Sequence, residues 1–295
     1  MAAVNPARLV TLDGLRGIAA ICVMLFHAGD FSPLPMPGGY LAVDLFLVLS
    51  GYVIAHSYGA RMDALGPSGF FRLRFIRLYP LYLVGLITGA GILALRVFTG
   101  GADWSIGGTL PAVLLLPAIG VAGYLYPLNP PAWSLGFEAL VNLIYGLLRG
   151  RLTAVLIVAA CILSGAEVVR GTLAAGHANL GADWETAQTG LARAVFSFLV
   201  GIVLFSALSR RGGTVRRHWL AYAAAFLLLA MLMFGPDQRA LWDLTCILVL
   251  FPLLVVLGAQ VEPGFSAAYR ISGDASYALY CIHFPLLQAL QSATR

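Results

Sequence analysis

The sequence predicts an all-α, polytopic helical membrane protein with about nine to ten transmembrane helices. Of its 295 residues, 60% are hydrophobic and only 11% are charged, and the mean hydropathy is +0.88. A soluble domain carries about 25% charged residues. Apolar runs of about 17–20 residues recur along the chain, each long enough to cross about 30 Å of hydrocarbon. These runs do not alternate with a period of two, which disfavours a β-barrel.

Ten segments are candidate membrane spans. The first begins too far from the N-terminus and lacks a small-residue cleavage pattern, so we expect a retained helix rather than a signal peptide. No internal repeat or low-complexity linker is visible, so residues 1–295 are expected to form a single integral-membrane domain. The predicted spans are residues 12–28, 39–57, 79–98, 106–126, 133–148, 152–169, 190–208, 218–234, 241–258 and 275–291.

The arginines predict the orientation of the chain. The net charge of +5 comes from arginine alone, and arginine clusters follow the second, fifth and seventh spans. Such clusters favour the cytoplasmic side, so we expect a cytoplasmic N-terminus, with a bacterial inner membrane as the setting. All arginine clusters lie on the same side of the membrane only if residues 99–149 make a single net crossing of the bilayer. Pro111 and Pro117 interrupt segment 106–126, which favours a re-entrant hairpin and nine crossings, with ten as the alternative.

The four cysteines predict neither a disulfide framework nor a metal site. Each lies singly inside an apolar run, and no pair has the CxxC spacing of a zinc site. These residues are Cys22, Cys161, Cys246 and Cys281.

The first hydrophobic segment contains Arg16 and His27, which are eleven residues apart. At 100° per residue the two side chains share one helix face, separated by roughly 16 Å along the axis. Charged and titratable groups are costly in hydrocarbon and usually face a polar interior. This face therefore predicts a functional path, although an arginine that extends to the headgroups and a histidine bonded to a neighbouring helix would also fit.

The second segment places Asp44 six residues before Ser50-Gly51, inside an apolar run. A buried aspartate needs a partner, which the sequence does not identify. Small residues allow membrane helices to approach closely, so we favour a packing role for Ser50.

An arginine cluster precedes the third span. Arg74 and Arg77 are spaced i,i+3 and should share a face, with Arg72 nearby, in what we expect to be a loop. Guanidinium groups bind phosphates bidentately, so the cluster is either a phosphate clamp or an ordinary positive-inside anchor.

Polar residues also mark the fifth and last segments. Glu138, Asn142 and Tyr145 form a stripe at i, i+4 and i+7, and the carboxylate is expected to be neutral, paired or catalytic. In the last segment Ser276, Tyr280 and His283 share a face. For His283 we favour a hydrogen bond to a neighbouring helix.

Five motifs in order resemble the membrane acyltransferase-3 family. The resemblance implies transfer of an acyl group, commonly acetyl, from cytoplasmic acyl-CoA to a hydroxyl of a surface glycan, exported polysaccharide or small secreted product. It implies three partners, namely the lipid bilayer, acyl-CoA and a carbohydrate-like acceptor, with no metal and no nucleic acid. Members usually carry one more helix after the last motif, so this chain is expected to lack it. The motifs are Arg16-x10-His27, Asp44 to Ser50-Gly51, Arg74-x-x-Arg77, Trp133-Ser-Leu-x-x-Glu138 and Ser276-Tyr-x-x-Tyr-x-x-His283.

The resemblance suggests roles for these residues. His27 would be the general base or a transient acyl carrier, and Glu138 would orient it. Arg16 would neutralise the thioester oxyanion or a CoA phosphate. The phosphates would be held by Arg72, Arg74 and Arg77. Substrate-binding or supporting roles are expected for Asp13, Asp44, Ser50, Trp133, Ser134, Asn142, Tyr145, Tyr280 and His283.

The alternative is a transporter or flippase whose intramembrane Arg, His and Glu residues form a substrate path. Such folds usually show interrupted helices at matching positions in two repeats, and none is visible here.

Overall fold

The computed structural model describes residues 8–59, 61–100, 106–119, 123–209 and 217–293. Within these residues the chain forms α-helices, short 3-10 turns and no β-strand. A five-residue π-helical turn, Cys246–Leu250, joins α9 to α10. The helices are α1 Val10–Ala28, α2 Ala42–Tyr58, α3 Met62–Phe98, α4 Ile106–Val113, α5 Trp133–Leu148, α6 Ala154–Ala175, α7 Ala187–Leu208, α8 His218–Met233, α9 Arg239–Thr245, α10 Phe251–Gln260 and α11 Ser266–Ala293.

Among the described residues, seven helical stretches are long and apolar enough to cross a membrane, which confirms a polytopic helical membrane protein. The apolar α8 is shorter, at 16 residues. The 28-residue α11 is long enough but carries many polar side chains. The seven stretches are Val10–Phe31, Gly39–Tyr58, Ala64–Phe98, Pro130–Arg151, Ala154–Ala175, Ala187–Leu208 and Arg239–Gln260.

Two predicted boundaries are wrong. The arginine cluster lies inside α3 rather than in a loop, because the chain turns earlier, at Gly66, which has φ +63° and is followed by Pro67. From there Phe70 and Arg74, one helical turn apart, are both buried. The last helix begins at Ser266 instead of residue 275.

The region 106–126 forms only a short helix. The eight residues of α4 rise about 12 Å, too little to cross the hydrocarbon. The described part of this region thus agrees with a segment that does not span. Residues 101–105, 120–122 and the arginine-rich stretch 210–216, on which parts of the topology prediction rest, lie outside the described residues.

Glycines bring two helix pairs into backbone contact. A Cβ on Gly17 of α1 would lie 2.5 Å from the Ser272 side chain of α11. A Cβ on Gly51 of α2 would lie 2.0 Å from the carbonyl oxygen of Phe198 in α7. Such close contacts fix the spacing of membrane helices. Three of these four helices, α1, α2 and α11, line one cavity.

Candidate active site

Helices α1, α2, α3, α5 and α11 enclose a cavity of about 300 Å³, called here the inner cavity. A second cavity of about 450 Å³, called the vestibule, lies where α1 and α11 begin and α2 ends. Arg16, Arg77 and Asp274 line both, so the two cavities share a wall. The polar residues of the inner cavity are Arg16, Ser50, Arg74, Arg77, Ser134, Glu138, Asp274, Ser276, Tyr277 and Tyr280.

A buried ion pair forms one wall of the inner cavity. Arg74 Nη2 donates to Glu138 Oε1 at 2.8 Å, and Ser50 Oγ donates to the same oxygen at 2.6 Å. The side chains of Arg74 and Glu138 are 7% and 14% exposed. Arg74 Nε is buried and has no hydrogen-bond partner in the described part of the chain. The pair therefore keeps unused hydrogen-bonding capacity beside the cavity.

These contacts correct two predictions. Glu138 does not pair with His27, because the buried guanidinium of Arg74 takes its carboxylate instead. Ser50 is not a packing residue, since its hydroxyl turns to Glu138 while the adjacent Gly51 makes the close helix contact.

The three clustered arginines near the start of α3 lie in different surroundings. Arg74 and Arg77 both line the inner cavity, as their spacing predicts. Arg77 is exposed and also lines the vestibule. Arg72 is exposed and lines neither cavity, so the structure does not bring it together with the other two.

Arg16 is held at the junction of the two cavities. It donates to Ser276 Oγ at 2.9 Å and to the carbonyl oxygen of Gly273 at 2.7 Å, and it pairs with Asp13 at 3.1 Å. Arg8 bridges Asp13 and Asp274, with 2.6 Å to the latter. Hydrogen bonds to Asp274 and Asp13 raise the pKa of the Arg8 guanidinium, so this end of α1 stays charged.

The two predicted histidines form a pair. His27 Nδ1 of α1 lies 3.0 Å from His283 Nε2 of α11, so His283 does bond to a neighbouring helix. His283 is 2% exposed, and the rings of Phe26 and Phe284 pack against His27. Neither histidine lines the inner cavity or the vestibule.

Tyr280 and Ser134 form the end of the inner cavity that faces the histidine pair. Their hydroxyl oxygens are 2.7 Å apart, and Tyr280 also donates to the carbonyl oxygen of Pro131 at 3.0 Å. The ring centroid of Tyr280 is 5.7 Å from that of His283, one helical turn further along α11. The cavity thus ends one turn short of the pair.

Asp44 has the partner that the sequence did not identify. Arg193 of α7 donates from Nη2 and Nε to its two oxygens, at 2.6 and 3.1 Å. Both side chains are at most 1% exposed, and Trp133 lies beneath the guanidinium, 5.4 Å from its ring centroid. The signal for Arg193 was its place inside a predicted span, since an intramembrane arginine needs a counter-charge.

A second buried network of polar side chains, around Asp243, was also not predicted from the sequence. Tyr40 donates to Asp243, which accepts from the backbone N–H of Ala178 at 2.8 Å and pairs with Arg239 at 3.0 Å. These contacts hold the segment after α6 against α9 and against the 3-10 turn that precedes α2. They line neither cavity, which indicates a structural role.

The other residues of the α5 stripe are buried away from the cavities. Asn142 is 1% exposed, and its amide has no hydrogen-bond partner among the described residues. Tyr145 packs edge-on against Phe198. No cluster of metal-ligating side chains was found in the part of the chain that the structure describes.

The fold and the site define an integral-membrane protein with a polar internal cavity that begins in a cationic vestibule and ends beside a histidine pair. The model of the acyltransferase domain, the acyltransferase-3 family, matches residues 9–295. The chain belongs to this family and is therefore a membrane-embedded acyltransferase.

Three relatives illustrate the similarity. Protein 2 in the picA locus of Rhizobium radiobacter is 36% identical over 168 residues, which cover 50% of this chain and 86% of that protein. Acyltransferase MdmB of Streptomyces mycarofaciens is 38% identical over 44% of this chain and 36% of its own length. Peptidoglycan O-acetyltransferase OatA of Listeria monocytogenes is 36% identical over 26% of this chain and 12% of its own length. The matches to MdmB and OatA thus span well under half of those proteins, and no solved structure matches.

Proposed function

We propose that this protein transfers an acyl group, acetyl in the simplest case, from cytoplasmic acyl-CoA to a hydroxyl of a carbohydrate-containing acceptor in a bacterial inner membrane. The observation that carries the proposal is the arrangement of the site, with cations in the vestibule, a polar inner cavity, and a histidine pair beyond its far end. The similarity to a peptidoglycan O-acetyltransferase supports a carbohydrate acceptor. The arginine-rich vestibule faces the cytoplasm in this proposal.

The phosphates of the donor bind in the vestibule. Arg61 and Arg77 line it, and neither forms an ion pair within the described residues. The charge of Arg74 is already balanced by Glu138. Guanidinium groups without a carboxylate partner are suited to phosphate, because they can donate two parallel hydrogen bonds to it. The donor cations are therefore Arg61 and Arg77, with Arg74 deeper along the donor arm.

The spacing within α1 supports a role for Arg16 at the anionic end of the donor. Eleven residues place Arg16 roughly 16 Å from His27 along the helix. A group that stabilises an oxyanion must lie about 2.7–3.1 Å from it, so Arg16 cannot serve the carbonyl at which His27 acts. Coenzyme A fits this separation, because a flexible amide-containing arm joins its phosphates to the thioester. Ser50, Arg74 and Glu138 offer hydrogen-bonding groups to that arm.

His27 acts as the general base. Its imidazole takes the proton of the acceptor hydroxyl while the oxygen forms an ester bond to the acyl carbon and the thioester C–S bond breaks. The proton then passes to the CoA thiolate. The acyl group has to pass Tyr280 to reach this position, because Tyr280 separates the inner cavity from the histidine pair.

Titration of a non-hydrolysable acyl-CoA into the detergent-solubilised protein tests the donor site. The double variant Arg61→Gln/Arg77→Gln should bind at least about a hundredfold more weakly than the wild type, at about 1.5–3 kcal/mol for each charge-assisted contact. Arg72→Gln is the matched control, since Arg72 lies on the same helix and lines neither cavity, and it should bind as the wild type does.

Two outcomes would contradict the proposal. A wild-type protein that binds no acyl-CoA would overturn the choice of donor. Equal acyl-CoA binding by the double variant and by Arg72→Gln would show that the donor phosphates do not bind in the vestibule.

A further inference from the structure

The hydrogen bonds of the histidine pair identify which ring nitrogens carry hydrogen. His283 Nδ1 lies 2.8 Å from the carbonyl oxygen of Tyr280 and 3.1 Å from that of Leu279. Carbonyl oxygens only accept hydrogen bonds, so His283 Nδ1 must be the donor. A neutral imidazole has one N–H, and Nε2 of His283 is therefore an acceptor.

The same reasoning continues to His27. Its Nδ1 lies 3.0 Å from His283 Nε2 and 3.0 Å from the carbonyl oxygen of Val23. Both neighbours are acceptors, so Nδ1 of His27 must carry the hydrogen. The lone pair of neutral His27 then lies on Nε2, which has no hydrogen-bond partner among the described residues.

We propose that His283 is a positioning residue that holds His27 in the Nδ1–H tautomer and leaves its Nε2 free to accept a proton. The inference rests on the proposed function, in which His27 is the base. His283 occupies the place that a carboxylate takes in other histidine-centred sites. A neutral acceptor avoids a buried anion, which is costly inside a membrane. Within the described residues no carboxylate contacts either ring, and the neighbouring rings are Phe26, Tyr280 and Phe284.

The proton balance of the transfer step supports this role. His27 Nε2 takes the hydroxyl proton as the ester bond forms and the thiolate leaves, which makes His27 an imidazolium. Its Nδ1–H remains bonded to His283 Nε2 throughout, so the ring keeps its orientation. The proton on Nε2 then moves to the thiolate sulfur, and His27 returns to its original tautomer.

Two substitutions of His283 separate hydrogen bonding from bulk. Gln places an amide oxygen near the position of Nε2 and can accept from His27, whereas Leu fills similar volume without an acceptor. We expect His283→Leu to lower kcat by about a hundredfold or more with the KM for acyl-CoA unchanged. His283→Gln should stay within about tenfold of the wild type. His27→Ala defines the background rate.

A spectroscopic measurement tests the tautomer without turnover. The ¹⁵N shifts of His27 in protein labelled at histidine, assigned by comparison with His27→Ala, report which nitrogen is protonated. We expect Nδ1–H in the wild type and in His283→Gln, and a mixture in His283→Leu.

The outcomes separate this inference from the proposed function. Nε2–H on wild-type His27, or full activity of His283→Leu, would overturn the inference even if the protein transfers acyl groups. A wild type that transfers no acyl group would overturn the proposed function, and the tautomer would still be decided by the spectrum. Should His283→Leu fail to fold, the wild-type and His283→Gln spectra decide.

Discussion

Two buried ion pairs of the same chemistry differ in how completely they are satisfied. In Asp44–Arg193 both carboxylate oxygens are bonded, a third guanidinium nitrogen donates to the carbonyl oxygen of Leu180, and Trp133 covers the cation. In Arg74–Glu138 a single N–O contact is made, and Arg74 Nε is left without a partner within the described chain. Of the two pairs, only the second lines the inner cavity, and the first lines neither that cavity nor the vestibule. We call Asp44–Arg193 the closed pair and Arg74–Glu138 the open pair. A closed pair holds helices together, whereas an open pair beside a cavity can accept a ligand.

Removing the cation of the closed pair should have the largest effect on stability. Arg193→Met leaves the wholly buried Asp44 without a counter-charge, which costs about 3–5 kcal/mol of unfolding free energy. Thermal unfolding in detergent should show a sharply lowered midpoint or little folded protein. The double variant Asp44→Leu/Arg193→Met should recover most of the loss, since replacing both charges removes the uncompensated one. A single variant as stable as the wild type would mean that the pair does not hold α2 to α7.

The same kind of change in the open pair should affect ligand binding more than folding. Glu138→Gln removes the counter-charge of Arg74 at a cavity wall, where water can solvate the cation. We expect acyl-CoA analogue binding to weaken about tenfold or more, with a smaller fall in the unfolding midpoint than for Arg193→Met. The protein is followed by ligand titration and thermal unfolding in parallel.

Combining Glu138→Gln with His27→Ala tests whether Glu138 and His27 act together. Since the two side chains make no contact, Glu138→Gln should weaken binding by the same factor in wild type and in His27→Ala. A clearly smaller factor in His27→Ala would show that the two residues act as a unit and would restore the pairing that the sequence suggested.

The smallest effect is expected for Ser50→Ala. It removes one hydrogen bond to Glu138, worth about 0.5–1.5 kcal/mol, so analogue binding should weaken about two- to tenfold. The adjacent Gly51→Ala is the control for packing, because its Cβ would meet the backbone of α7 and should lower stability instead. Loss of stability in Ser50→Ala with unchanged binding would place Ser50 back in the helix interface.

The sequence predicted the helical membrane fold better than it predicted which polar side chains contact one another. Hydrophobic run length locates helices such as α1, α2 and α7 because about 20 apolar residues are needed to cross hydrocarbon. It failed for the start of α3, because arginines interrupt the apolar run after Gly66, although this stretch is helical and buries Phe70 and Arg74.

The partner of a buried polar side chain depends on which helices pack together, and the spacing of residues along one helix does not reveal this. Asp44 could have paired with any intramembrane cation, and the close packing of α2 against α7 at Gly51 brings Arg193 to it. Likewise, Glu138 pairs with Arg74 of α3 and not with His27 of α1, which the spacing within α5 does not reveal. His27 and His283 were both visible in the sequence, but their contact follows from the close packing of α1 against α11 around Gly14 and Gly17.

The hydrogen-bonded wall of Ser134, Tyr280 and Pro131 has an electrical consequence. A water-filled passage from one face of the membrane to the other would conduct ions and dissipate a potential worth about 2.3 kcal/mol per charge for each 100 mV. Among the described residues the inner cavity ends at Tyr280, so donor phosphates placed at its other end by the proposed function would have no continuous cavity across the membrane. In the proposed reaction only an uncharged acyl group has to pass Tyr280, so the transfer does not require a hydrated passage for ions across the membrane.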